Sequence, residues 1–421
     1  MGATQKGPGL RRGNGYVVTW AIGHLVGLAE PHELDPAWKP WRFGQLPMLP
    51  REWRLRVHQQ TADHFALVAA VLNAPEVTRV VCATDAGREG ELIFRYIYRQ
   101  AGCSKPVDRL WVSSLTPDAI KAGFRELRPG AAFDRLAAAA EARSRADWLV
   151  GMNFSRGYTL KFGPDLMSVG RVQTPTLAML VTREQAIRDF RAVPYREVEA
   201  TFGAAPAAYA GTWFDPARVK AEGEDQAARL PADGALAEEI RARCTGQRGV
   251  VVSCAGTEKS AAPPPLYDLT ELQRHANRLF GLTAQATLTA AQALYEKHQL
   301  LSYPRTDSRH LSASVAATLG PIVAAVAPAY RDAVAPGTGT APLSRRFVDD
   351  AKVSDHHAII PTVTPRAGKP LNPDEARVYD LVCRRLLMAW HADHRTRVTK
   401  VVTAVPAEAA AGAPRDHFRS S

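Results

Sequence analysis

The stretch that most limits the fold of this chain is the handover from Val77-Thr78-Arg79-Val80-Val81-Cys82-Ala83-Thr84 to the run Glu89–Gln100. The first part is a short β-branched run and predicts a strand. The second has helical period, with Gly102 placed to cap it. Between them lies Asp85-Ala86-Gly87-Arg88-Glu89-Gly90-Glu91, so a strand delivers carboxylates onto the first turn of a helix. A further strand over 109–114 and a helix start at Thr116-Pro117-Asp118 continue the alternation. Residues 15–26 read as a buried strand with its exit turn, and 55–73 have helical spacing. Residues 1–130 therefore predict a small α/β domain.

The rest of the chain is organised differently. Residues 134–162 are Ala-rich and helical, with Arg143, Arg145, Arg156 and Lys161 spread along them, and 172–190 predict another helix. Short strand-like runs such as Gly249–Ser253 occupy 195–255. Ala261-Ala262-Pro263-Pro264-Pro265 is a stiff linker. Helices follow at 268–280, at 283–300 and between 311 and 392, and 406–414 read as unstructured. A length of 421 residues suits two to four domains. Lys plus Arg number 53 against 42 Asp plus Glu, and this net charge of +11 invites a polyanion without choosing between nucleic acid and membrane. The five cysteines are scattered without a Cys-x-x-Cys, which disfavours zinc ribbons and fits reduced thiols. No apolar stretch is long enough to span a bilayer and no signal core opens the chain, so the cytoplasm is the expected location.

Four segments carry residues suited to chemistry. Asp85 at a strand end and Glu89 on the first helical turn could share a hard cation such as magnesium. An acidic helix start that merely complements the helix dipole is the alternative. Ser168-Val169-Gly170-Arg171-Val172-Gln173-Thr174-Pro175 suits phosphate oxygens, or is a solvated loop. In Leu301-Ser302-Tyr303-Pro304-Arg305-Thr306-Asp307-Ser308, Pro304 forces Tyr303 towards an extended conformation off a helix end. Tyr303 is then a candidate nucleophile with Arg305 as its phosphate-matching neighbour, or a residue packed in a turn. In Asp355-His356-His357-Ala358-Ile359-Ile360-Pro361-Thr362, adjacent histidines point different ways, so a phosphate-facing or structural role suits them better than shared metal ligation. No P-loop, Gly-x-Ser-x-Gly elbow or His-Glu-x-x-His occurs, which removes support for ATP-driven motors and common hydrolases.

Taken together and in this order, Ala83–Ile93, Ser168–Pro175, Ser302–Ser308 and His356–Thr362 resemble type IA DNA topoisomerases, and the topoisomerase III branch most closely. Asn14–Val26, Arg145–Met152 and Pro263–Asn277 add to the likeness. The resemblance implies a multidomain α/β plus α chain arranged as a toroid, possibly incomplete. Its parts would be a TOPRIM-type α/β domain (1–130), the first part of a helical DNA-binding domain (131–192), the first part of a strand-rich hinge (193–260), a helical lid with the tyrosine (261–390) and the start of a return through the hinge (391–421). It implies a monomer that acts on single-stranded DNA and a passing strand without ATP. Tyr303 matches the tyrosine that would attack a backbone phosphorus and hold the 5′ phosphate. Arg305 would steady that phosphate, Glu89 would be the general acid, Asp85 with Glu89 would hold magnesium, and His356 would help place the phosphate. Ser168, Val169, Gly170, Arg171, Val172 and Gln173 fall in the family's DNA-contacting segment. Trp41 and Tyr158 align with DNA-contact positions, and packing in the core is the alternative for both.

Two departures from the family pattern stand out. Its first TOPRIM strand carries a Glu and then a Lys, and Met1–Arg12 contain no such pair; the expectation is a chain that starts inside the domain and stops at Ser421 before the ring closes. The acidic motif is Asp-x-Gly-x-Glu where many members have Asp-x-Asp-x-Glu, a variant found in the topoisomerase III branch. A single-strand-binding remnant that has lost cleavage is therefore the second reading. A TOPRIM nuclease or primase is the third, and the Tyr303 motif counts against it.

Overall fold

The computed structural model describes residues 2–112, 117–406 and 415–420. It divides into two compact units, Met1–Val181 with Pro264–His391, and Thr182–Pro263 with Ala392–Ser421.

In the first unit, Val80–Cys82 pairs in parallel with Val107–Arg109, and the helix Arg88–Gln100 makes the crossover between them. This is the strand-to-helix unit that the sequence predicts, with Gly102 at a positive φ of 63° just past the helix end. Its core gathers Leu25, Val26, Val68, Leu72, Val80, Leu92 and Ile97. Three local expectations shift. The strand expected over 109–114 is Val107–Arg109 instead, and residues 113–116, including Thr116, lie outside the described set. The helix expected over 55–73 begins only at Ala62, because Leu55–Val57 pairs antiparallel with Val26–Leu28. Tyr16–Thr19 is an outer strand of a three-stranded antiparallel sheet, and Tyr16 and Val18 face solvent rather than a core. The expectation for 406–414 falls almost wholly outside the described residues.

The helix Asp134–Phe162 runs for 29 residues and is followed by Gln173–Arg188. Trp148 donates its indole N–H to the Ala29 carbonyl at 3.0 Å, and Arg156 reaches the Trp38 carbonyl at 2.6 Å, so the long helix is fastened to the segment before the α/β core.

The segment Pro264–His391 has its own dense core, built from Leu266, Leu272, Leu294, Leu300, Leu301, Leu311, Ile359, Val378 and Leu386 among others. Its helices are capped as their sequences dictate. Asp268 accepts from the Glu271 N–H, Thr283 from the Ala286 N–H, and Asn372 with Glu375 closes a capping box. The helix expected over 283–300 ends at Glu296, and Gln299 takes a positive φ of 57° that no local glycine advertises.

The second unit is a five-stranded antiparallel sheet in the order Val250–Ala261, His394–Pro406, Arg415–Ser420, Tyr209–Phe214, Glu199–Phe202. Trp213, Leu230, Ile240, Val405 and Phe418 form its core.

Candidate active site

Tyr303 stands on a segment locked from below. Leu300 and Leu301 are fully buried, and burial then alternates residue by residue, with Pro304, Thr306 and Ser308 inward and Arg305 and Asp307 outward. The Ser302 N–H donates to the Ile360 carbonyl at 2.9 Å, and the Ile360 N–H returns a bond to Ser302 Oγ at 3.0 Å. Thr306 Oγ1 donates to the His356 carbonyl at 3.0 Å, and Ser308 Oγ to the Lys352 carbonyl at 2.8 Å. Two motifs about fifty residues apart in sequence are thus laced into one platform.

The Tyr303 ring lies 4.4 Å from the His356 ring and 5.4 Å, edge-on, from that of Tyr295. Partial burial, and next the negative charge of Asp85, hold its hydroxyl above its usual pKa of 10, against the pull of Arg305. It is therefore a neutral phenol near pH 7. Arg305 is exposed, with Nε 3.3 Å from Gln292 Oε1. His356 Nε2 lies 3.9 Å from Asp85 Oδ2. His357 turns the other way, with Nδ1 2.7 Å from the Ala358 carbonyl, and burial lowers its pKa.

The acidic loop is clamped from behind by a buried arginine. Arg109, 1% exposed, donates to the carbonyls of Cys82, Thr84, Asp85 and Leu110, and its Nε meets Glu91 Oε2 at 3.1 Å. Glu91 also accepts from Arg95 at 2.8 Å, so this buried charge is paired on both oxygens. At Gly90 a Cβ would stand 2.3 Å from the Asp85 carbonyl oxygen, so only glycine lets the helix approach the loop.

Glu89 is exposed, and its Oε1 lies 2.6 Å from His24 Nε2. His24 is the functional candidate that sequence reasoning leaves without a role; it lies inside Asn14–Val26, but nothing local links it to a carboxylate 65 positions on. Among the described residues no group of three His, Cys, Asp or Glu side chains is arranged to hold a metal ion.

The remaining expected positions form a separate cluster. Arg171 Nε donates to Asp147 Oδ1 at 2.6 Å, and this bond holds the Asp147 carboxyl below its usual range. Gln173 Nε2 donates to Ser168 Oγ at 2.9 Å, the Gly170 N–H to Thr174 Oγ1 at 3.1 Å, and Ser155 Oγ receives the Val169 N–H at 2.9 Å, while Val172 lies exposed. Trp41 and Tyr158 are 41% and 48% exposed, so neither packs in the core. Arg156 lies over the Trp41 ring at 5.1 Å, and Tyr158 is tilted against Phe162.

A family model described as DNA topoisomerase matches residues 131–414. The chain belongs to the DNA topoisomerase family. Within it, the likeness is to the topoisomerase 3 branch. The chain is 45% identical over 409 residues to DNA topoisomerase 3 of Shouchella clausii, covering 95% of this chain and 54% of that protein. It is 40% identical over 415 residues to DNA topoisomerase 3 of Bacillus subtilis, covering 96% and 54%. The chain thus spans about half the length of these topoisomerases. Its fold resembles that of full-length topoisomerase I from Thermotoga maritima, with a TM-score of 0.64 at 20% identity, over 95% of this chain and 60% of that one.

Proposed function

We propose that this chain carries the cleavage and rejoining centre of an ATP-independent type IA topoisomerase acting on single-stranded DNA. The observation that carries the reading is the contact of Tyr303 with His356, which in turn faces Asp85 of the acidic loop. A nucleophile on one rigid segment thereby meets a carboxylate loop on another.

In this reading Tyr303 Oη bonds to a backbone phosphorus and the bond from phosphorus to the 3′ oxygen breaks. The phenol proton passes to solvent, and the leaving 3′ oxygen takes a proton from Glu89, which His24 orients. Arg305 carries the growing charge on the phosphate oxygens, and His356 fixes the phosphate beside Tyr303. The freed 3′ hydroxyl later attacks the phosphotyrosine, and the ester energy held in that bond makes ATP unnecessary. Magnesium accepts one or two carboxylates when phosphates and water complete its shell. Asp85 and Glu89 are exposed oxygen donors and fit that part; bound there, magnesium would neutralise charge on the DNA phosphates. Ser168–Gln173, Trp41 and Tyr158 are assigned to the incoming strand, where charge and stacking tolerate any sequence. The chain is read as a monomer working on cytoplasmic DNA; separately, no helix among the described residues is long and apolar enough to cross a membrane.

The test uses a 3′-end-labelled single-stranded oligonucleotide with magnesium. After denaturation, the wild-type chain retains label through a 5′-phosphotyrosyl bond and Tyr303→Phe retains none. An adduct that survives Tyr303→Phe refutes the assignment. Absence of adduct from the wild type, with salt-sensitive DNA binding retained, supports the binding remnant instead.

A further inference from the structure

One contact in the site has no part in the chemistry above. Gly87 is buried at the start of the Arg88–Gln100 helix, and a Cβ built on it would lie 2.5 and 2.6 Å from the two carboxylate oxygens of Asp355. Its φ of −161° and ψ of 178° are extended backbone that any residue adopts. A side chain at 87 would therefore meet an obstacle distant in sequence, and the Asp355 carboxylate would have to turn aside to admit it. Gly90 differs, because the obstacle there is the loop's own backbone at Asp85.

Asp355 is firmly coupled to the nucleophile. Its neighbour Ser354 donates to Asp307 Oδ1 at 3.1 Å, and on its other side His356 is bonded through its carbonyl to Thr306 and touches Tyr303 through its ring. Burial and the like charges of Asp85 and Asp307 work against an ionised carboxyl at 355, with His356 and Arg88 opposing them.

We propose that Asp355 is a positioning residue for the Tyr303 reaction: its carboxylate keys into the notch left by Gly87 and sets the height at which Tyr303 and His356 meet Asp85. The proposal rests on the assignment of Tyr303 above, and Asp355 acts through Tyr303 and His356 without touching the reacting atoms.

The experiment compares the full chain with Gly87→Ala, Asp355→Ala, the double variant and Asp355→Asn. Three quantities are read: the rate of adduct formation at saturating oligonucleotide, the dissociation constant for that oligonucleotide, and amide hydrogen exchange over 85–90 and 353–358 without DNA. Gly87→Ala is expected to slow the saturated rate roughly a hundredfold, as a misplacement near 1 Å does, with binding unchanged. Exchange in both segments speeds up. The double variant recovers most of the rate and of the protection, because the added methyl then enters the space the carboxylate vacates. Asp355→Asn keeps the shape and stays close to wild type. A Gly87→Ala chain that cleaves and exchanges like wild type overturns the proposal. So does a double variant as impaired as Gly87→Ala alone. Should the wild-type chain form no adduct, the Tyr303 reading fails, and the exchange pattern across the same variants still decides whether the key exists.

Discussion

The Tyr303 segment and the Ser168–Gln173 segment are both assigned to DNA, yet they are built in opposite ways. Tyr303 follows two fully buried leucines and sits among hydrogen bonds to a second motif. The loop at 168–173 leads into a helix, Gln173–Arg188, with no buried residue, along which Leu177, Met179 and Leu180 face outward. The difference suits the tasks proposed for them. In-line attack at phosphorus requires the nucleophile to be held to within about an ångström. Neutralising a backbone needs only charge at roughly the right place, since its strength comes from counterion release.

The largest expected contrast is in stability. Leu301→Ala removes a fully buried side chain and should cost about 2–5 kcal/mol, whereas Leu180→Ala on the exposed helix should stay within about 0.5 kcal/mol. Denaturant unfolding measures both, and equal losses would break the comparison. Next comes Arg305→Ala, which should slow cleavage roughly a hundredfold, as the loss of one preorganised anion-stabilising donor does. A rate barely changed would make Arg305 structural.

Acid should separate the two segments again. His275, His310 and His357 all belong to the Pro264–His391 segment and all have pKa values lowered from 6.5, chiefly by burial. The unfolded chain therefore binds protons first, so stability is complete above about 6.5 and is lost as pH falls through the lower native values. Hydrogen exchange between pH 7.5 and 5 should show protection fading over 266–311 before it changes over 155–170. The smallest effect is that of Arg171→Ala, which should weaken oligonucleotide binding at every sequence alike and flatten the salt dependence by about one unit of slope. A change confined to particular sequences would mean that Arg171 reads bases.

Much of the first unit was legible because its signals are local. The β-branched run before Asp85, the period of Glu89–Gln100 and the Pro304 constraint on Tyr303 each need only neighbouring residues. Family motifs carried the rest of the site reading. What stayed hidden is set by distant partners. Leu55–Val57 reads as helix until Val26–Leu28 pairs with it. Gly249–Ser253 reads as strand-like, but the strand runs on to Ala261, exposed along its whole length, only because His394–Pro406 pairs with it. His24 and Asp355 acquire roles only from Glu89 and Gly87, which no spacing rule connects to them. Trp41 and Tyr158 could be read as core because aromatic residues usually are; an arginine lying over one ring and a phenylalanine against the other leave both outside it.

The five-stranded sheet has a consequence in time. Val250–Ala261 pairs along its length with His394–Pro406, from Ala261 opposite His394 to Val250 opposite Ala404. During synthesis the first of these strands leaves the ribosome with the edge that faces its mate bare, and that mate is not made until the whole intervening segment has emerged, on the order of ten seconds later. Throughout that interval an unsatisfied row of amides and carbonyls waits in the cell, open to the wrong neighbour. The order of birth therefore makes this ribbon a place where a nascent chain is exposed to misassembly.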